Sequence, residues 1–142
     1  MNIYFSAAMT RYRKMLPMYM SLAEIIKDLG HTITSHHVID PKTTDGDWIR
    51  QYKPEQLWQR EVERLQNSDV LISEVTTPSY GVAFMMDEAL NMKKPQLSLY
   101  YALPFQQDNL PLMLRGKPGI YFQMYTEDTA RVVISDFFKS LG

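Results

Sequence analysis

The stretch Asp-Val-Leu-Ile-Ser-Glu-Val-Thr-Thr-Pro-Ser-Tyr-Gly-Val-Ala-Phe-Met-Met-Asp-Glu-Ala-Leu-Asn-Met-Lys-Lys-Pro, from Asp69 to Pro95, decides the fold. Its apolar run predicts a strand over Val70 to Val75, covered on both faces as in a parallel sheet. Thr76 to Tyr80 reads as a turn, and a helix opens at Gly81. Ser79 is a natural N-cap, because its hydroxyl can accept from the free amides of the first helical turn. Those amides and the positive end of the helix dipole make a potential anion site. Pro95 keeps the following segment from continuing as helix. Strand, polar turn and glycine-opened helix form half of a nucleotide-type site.

The flanking chain repeats the alternation. Asn2 to Ser6 reads as a first strand, Ala7 to Arg13 as the loop at its carboxyl end, and Lys14 to Leu29 as a helix stopped by Gly30. Pro17 fits that helix only in its first turn. Its apolar stripe is Leu16, Met20, Ala23, Ile26 and Leu29. Thr32 to Ser35 is a short second strand, and His36 to Tyr52 is expected to be a polar loop that orders on binding. Pro54 starts a helix running to about Gln66. Gln96 to Tyr101 and Ile120 to Tyr125 are the fourth and fifth strands. Ala102 to Lys117 between them is irregular, with a helical turn at Leu112 to Arg115. Glu127 to Leu141 closes the chain as a helix with Val132, Val133, Phe137 and Phe138 apolar. The expected fold is α/β: one domain over residues 1–142, a Rossmann-like, doubly wound parallel sheet of five strands in flavodoxin-like order. Ligands then bind beyond the carboxyl ends of the strands.

Composition narrows the class. The 142 residues carry 15 basic and 16 acidic side chains, a net charge of -1, so no basic stripe points to nucleic acid. Cysteine is absent, which removes disulfides and thiolate metal sites. Met1 to Ser6 enters a strand directly, and no run reaches membrane-spanning length. A cytoplasmic globular domain with no membrane contact is expected. The ten methionines read as adaptable core packing.

Several side chains stand out. Leu57, Trp58, Val62 and Leu65 form the stripe of the helix from Pro54, and Glu61 lies inside it. A carboxylate there either bonds polar groups of a pocket or sits at the stripe's edge and reaches water. Tyr4 is a core aromatic or a pocket hydroxyl. His36 and His37 can line the pocket, but adjacent histidines do not point one way, so no metal site and no cofactor are expected. Val82, Met85, Ala89 and Met92 share one helical stripe, which for Met85 reads as core packing.

Taken as a set, these residues carry a resemblance. The pieces are Ile-Tyr-Phe-Ser at Ile3 to Ser6 and the run from Glu61 to Val75. Pro-Ser-Tyr-Gly-Val-Ala-Phe at Pro78 to Phe84, Lys94-Pro95 and Leu114-Arg115-Gly116 complete them. Together they resemble the nucleoside 2-deoxyribosyltransferase-like family, nearest its 2'-deoxynucleoside 5'-monophosphate N-glycosidase branch. The resemblance implies cleavage of an N-glycosidic bond, with a glutamate attacking the anomeric carbon and an acid and a tyrosine assisting. A carboxylate suits that chemistry, because the transition state resembles an oxocarbenium ion.

Carried over by position, Tyr4 matches the assisting tyrosine, and Glu61 the assisting acid, which is aspartate in that branch. Ser79 matches a serine that contacts the 5'-phosphate, where transferases of free nucleosides usually hold aspartate. Ser6, Ala8, His37, Ser79, Gly81 and Arg115 are the candidate substrate-binding positions. Met85 occupies the position of the nucleophilic glutamate, and a neutral thioether cannot stabilise a developing cation as a carboxylate does. Ala8 stands where that branch has serine, Thr10 replaces an arginine with Arg11 and Arg13 nearby, and Pro111 replaces a partner subunit's serine. The expected protein is an N-glycosidase or deoxyribosyltransferase type acting on (deoxy)nucleoside monophosphates, impaired by Met85. The alternative is a non-catalytic nucleotide-binding relative. A homodimer is expected, closed by Ala102 to Gly116 with its exposed Phe105, Leu110 and Leu112.

Overall fold

The computed structural model describes residues 1–9, 14–43, 50–101 and 110–142. Thr10, Arg11, Arg13 and Phe105, and with them much of two expected loops, lie outside the described residues. The elements in chain order are β1 (Asn2–Ala7), α1 (Leu16–Asp28), β2 (Thr32–Ile33), α2 (His36–Ile39), α3 (Pro54–Gln66) and β3 (Val70–Glu74). Then come α4 (Tyr80–Asn91), β4 (Gln96–Tyr101), α5 (Leu112–Gly116), β5 (Tyr121–Tyr125) and α6 (Ala130–Ser140). The five strands are all parallel and lie in the order β2-β1-β3-β4-β5. This is the doubly wound order expected from the sequence, with its switch point between β1 and β3.

Strand alternation sorts the core onto two faces. Ile3, Phe5, Ile72, Leu97 and Leu99 pack under α1 and α6, against Tyr19, Leu22, Ile26 and Ile134. Tyr4 and Leu71 face the other way, against Leu65 of α3 and Val82, Met85 and Ala89 of α4. Register pairs Tyr4 with Leu71 and Ser6 with Ser73, so β1 and β3 end together beside the turn into α4. Ser79 caps α4, its hydroxyl accepting from the Val82 amide at 3.3 Å, and Pro17 lies in the first turn of α1. Gly30, at φ +88°, closes α1 in a conformation that a side chain would strain.

Three expectations need correction. The residues after His36 begin as the short helix α2, which buries Val38 in the core, rather than as open loop. In α1, Tyr19 and Leu22 are buried whereas Met20 is exposed. In α6, Ala130, Ile134 and Phe137 face inward and Val132 is 60% exposed. The stripe that meets the sheet is rotated from the one the spacing suggests: Met20 and Val132 turn to water, whereas Met18, Ile25, Val133 and Phe138 pack partly buried beside it. Among the described residues, no helix is long and apolar enough to cross a membrane.

Candidate active site

A cavity of about 430 Å³ opens at the carboxyl ends of β1 and β3, between α3 and α4. Tyr4, Ser6, Glu61, Ser79, Gly81 and Met85 all line it, so the topology gathers six of the positions chosen from the sequence. Trp58 and Phe84 also line it, one from α3 and one from α4, in an edge-to-face pair with centroids 6.2 Å apart.

Glu61 is the electrostatic centre. It is 7% exposed, so the reading in which it reaches water from the edge of its helix falls away. The Tyr4 hydroxyl donates to Oε2 in a short hydrogen bond. His37 Nε2 stands 3.4 Å from the same oxygen, and Arg64 Nη1 lies 3.5 Å from Oε1. Arg64 Nη1 also meets His37 Nδ1 at 2.6 Å. A guanidinium nitrogen only donates, so Nδ1 accepts and the imidazole proton sits on Nε2, toward Glu61. Burial pushes the Glu61 carboxyl above the usual carboxylate range, while the Tyr4 hydrogen bond and the guanidinium groups of Arg64 and Arg60 pull it back. Burial and the neighbouring Glu61 push the Tyr4 phenol up, so it stays a proton donor throughout the physiological range.

Met85 is 5% exposed and packs with Tyr4, Leu71 and Val82 while its side chain borders the cavity. It is at once a core residue and a wall residue, the helix stripe seen in the sequence turned toward the site. Ala8 is buried just beyond the end of β1. Arg115 lies apart from this group, in α5, its guanidinium over the Phe122 ring at 5.9 Å. Trp58 and Arg64 escaped the sequence reading as site residues. Their spacing was the available signal: each lies three residues from Glu61 and shares its face of α3.

No protein-family model matches the chain. A 5-hydroxymethyl-dUMP N-hydrolase of Danio rerio is 31% identical over 144 residues, spanning 99% of this chain and 98% of that protein. The chain belongs to the 2'-deoxynucleoside 5'-monophosphate N-glycosidase family. A second member of this family, the 5-hydroxymethyl-dUMP N-hydrolase of Esox lucius, is 30% identical over 100% of this chain and 99% of that protein. The family fold is matched by the solved CMP N-glycosidase of Clostridium botulinum, at TM-score 0.61 over 97% of this chain and 99% of that one. Sequence identity there is 15%, so the likeness is one of fold.

Proposed function

We propose that this chain binds a 2'-deoxynucleoside 5'-monophosphate in the Tyr4–Glu61 cavity and, with methionine at position 85, cleaves its N-glycosidic bond slowly. The observation that carries the reading is the buried Glu61 carboxylate, held by Tyr4 on the wall of a cavity at the strand ends. It agrees with the named activity of the relatives, which is N-hydrolysis of a deoxynucleotide.

The reaction breaks the bond between C1' and the base nitrogen, and the base leaves with the electron pair. Water then supplies hydroxyl to C1' and a proton to the base. Charge builds on the sugar as the base departs, and an aligned anion lowers that barrier. In its ionised form, Glu61 would be such an anion. Tyr4, His37 and Arg64 converge on its two oxygens, which suits it to orienting the sugar and stabilising charge more than to attacking carbon. The Met85 thioether, on the facing helix, supplies no charge. Ser79 and the amides that follow Gly81 would receive the phosphate, and Trp58 and Phe84 would flank the base.

A second reading, a nucleotide binder without catalysis, draws on the burial of Met85 among Tyr4, Leu71 and Val82. Base release from a panel of nucleosides and monophosphates, run beside calorimetric binding, separates the two. Binding without release favours the second reading, and neither binding nor release rejects both.

The same proposal includes a cytoplasmic two-fold dimer. Leu112 and Met113 of α5 are exposed beside Phe84, and Met113 is 92% exposed. Their apolar surface would be covered by a second copy. Light scattering that shows a monomer at micromolar concentration would remove the dimer.

A further inference from the structure

A second buried carboxylate lies on the opposite side of the sheet from the cavity. Glu74, the last residue of β3, follows Val70 and Ile72 in the strand's alternation and points under α1 and α6. It is 0% exposed. Its Oε1 accepts from the Thr76 amide at 3.2 Å and, in a short hydrogen bond, from the Thr76 hydroxyl. Among the described residues neither its Oε2 nor the buried Tyr125 hydroxyl has a hydrogen-bond partner of good geometry, although the two groups lie close enough to influence each other. An apolar side chain there would avoid the desolvation of a carboxyl among Ile72, Leu99 and Tyr125. So costly a placement at a strand end is unexplained by packing.

What the carboxylate does is orient one threonine. Thr76 has a single hydroxyl proton, and Glu74 takes it. The lone pairs are then turned toward β4, where Oγ1 accepts from the Tyr101 amide at 2.9 Å. The sheet pairs β3 with β4 as far as Glu74 with Leu99, and the Val75 amide adds one more bond to the Leu99 carbonyl at 2.9 Å. Beyond that the backbones part, and the Thr76 side chain takes over as the link. Three residues later the chain reaches Ser79, which caps α4 and lines the cavity.

We infer that Glu74 and Thr76 are positioning residues: they clamp the β3–α4 turn to the end of β4 and so aim Ser79 and the first amides of α4 into the cavity. The clamp is a relay of three groups, carboxylate to hydroxyl to amide, across the sheet from the ligand it serves. The inference rests on the proposed nucleotide binding for its ligand. It assigns the monophosphate contact, rather than the base or sugar contact, to the geometry of this turn.

The test compares Thr76→Val, Thr76→Ser and Glu74→Leu with the parent in the full-length protein, by calorimetry with dUMP and with deoxyuridine. Thr76→Val is expected to weaken dUMP by about tenfold, the worth of one good polar contact, and deoxyuridine far less. Thr76→Ser, which keeps the hydroxyl, retains the parent's affinity for both. Glu74→Leu removes the buried carboxyl, so it melts no earlier than the parent yet loses dUMP affinity as Thr76→Val does. A merely structural role predicts that Glu74→Leu loses stability and affinity for both ligands together, and that result overturns the inference. If Thr76→Val fails to fold, the Glu74→Leu comparison decides alone. Parent-like dUMP binding by Glu74→Leu, or equal losses for both ligands, overturns the inference while the nucleotide reading stands. A parent that binds neither ligand overturns the nucleotide reading and this inference with it.

Discussion

The Tyr4 hydroxyl donates to Glu61 Oε2 across 57 residues of sequence, and this contact joins β1 to α3 at the wall of the cavity. Both groups are buried, and each changes the other's chemistry. The phenol is held protonated, and the carboxylate gains a donor that offsets part of its desolvation.

Removing that donor should be felt first in stability. Tyr4→Phe leaves a buried carboxylate with one fewer partner, at a cost of roughly 1.5–3 kcal/mol for a hydrogen bond to a charged group. The urea midpoint is expected to fall with an unchanged slope. An unchanged midpoint would mean that His37 or Arg64 replaces the phenol at no loss.

Stability should also depend on pH through Glu74. Burial raises its carboxyl from 4.5 to about 7, against the opposing hydrogen bonds from Thr76. A raised carboxyl contributes stability that is complete below the unfolded value and is lost as pH rises through the folded one. The shift corresponds to roughly 3 kcal/mol between about pH 4 and pH 8. Glu61 is raised in the same direction and adds to the slope. Urea midpoints are therefore expected to fall from about pH 5 to pH 8, and Glu74→Gln to flatten the fall. Parallel pH profiles for parent and variant would show that Glu74 titrates elsewhere.

Ser79 tests the proposed phosphate contact. Ser79→Ala should weaken dUMP binding by roughly 1.5–3 kcal/mol and leave deoxyuridine nearly unchanged, as expected for a contact with a charged group. Equal losses would mean that Ser79 serves α4 as a cap and nothing more.

The sequence made the sheet legible because parallel strands are buried on both faces and read as apolar runs: Val70 to Glu74 and Gln96 to Tyr101 fall where their composition puts them. Pro54 and Ser79 marked helix starts through backbone and capping chemistry that acts locally. Helix rotation was less legible. Met20 and Val132 fit an apolar stripe by spacing, but which stripe meets the sheet is set by tertiary contacts. In the site, Glu61 stood out because a carboxylate interrupts an apolar face. Arg64 did not stand out, because its partner His37 comes from another element and meets it only in the fold. Glu74 was hidden for a related reason: its partner Thr76 is local, but the Tyr101 amide that gives the pair a purpose comes from another strand.

Whether the cavity is a nucleotide N-glycosidase site with methionine in place of its charged nucleophile, as proposed, is decided by the rate of base release from dUMP by Met85→Glu and by its parent. Met85 borders the cavity on the helix face opposite Tyr4 and Glu61, and glutamate is close to it in size. Losing one member of an interdependent catalytic set costs on the order of 10⁴ to 10⁶ in rate, so restoring charge has ample range to act. The parent is expected to release base very slowly and Met85→Glu, checked for folding by its melt, to release it faster. Robust release by the parent, or a folded Met85→Glu variant no faster than the parent, would contradict the claim.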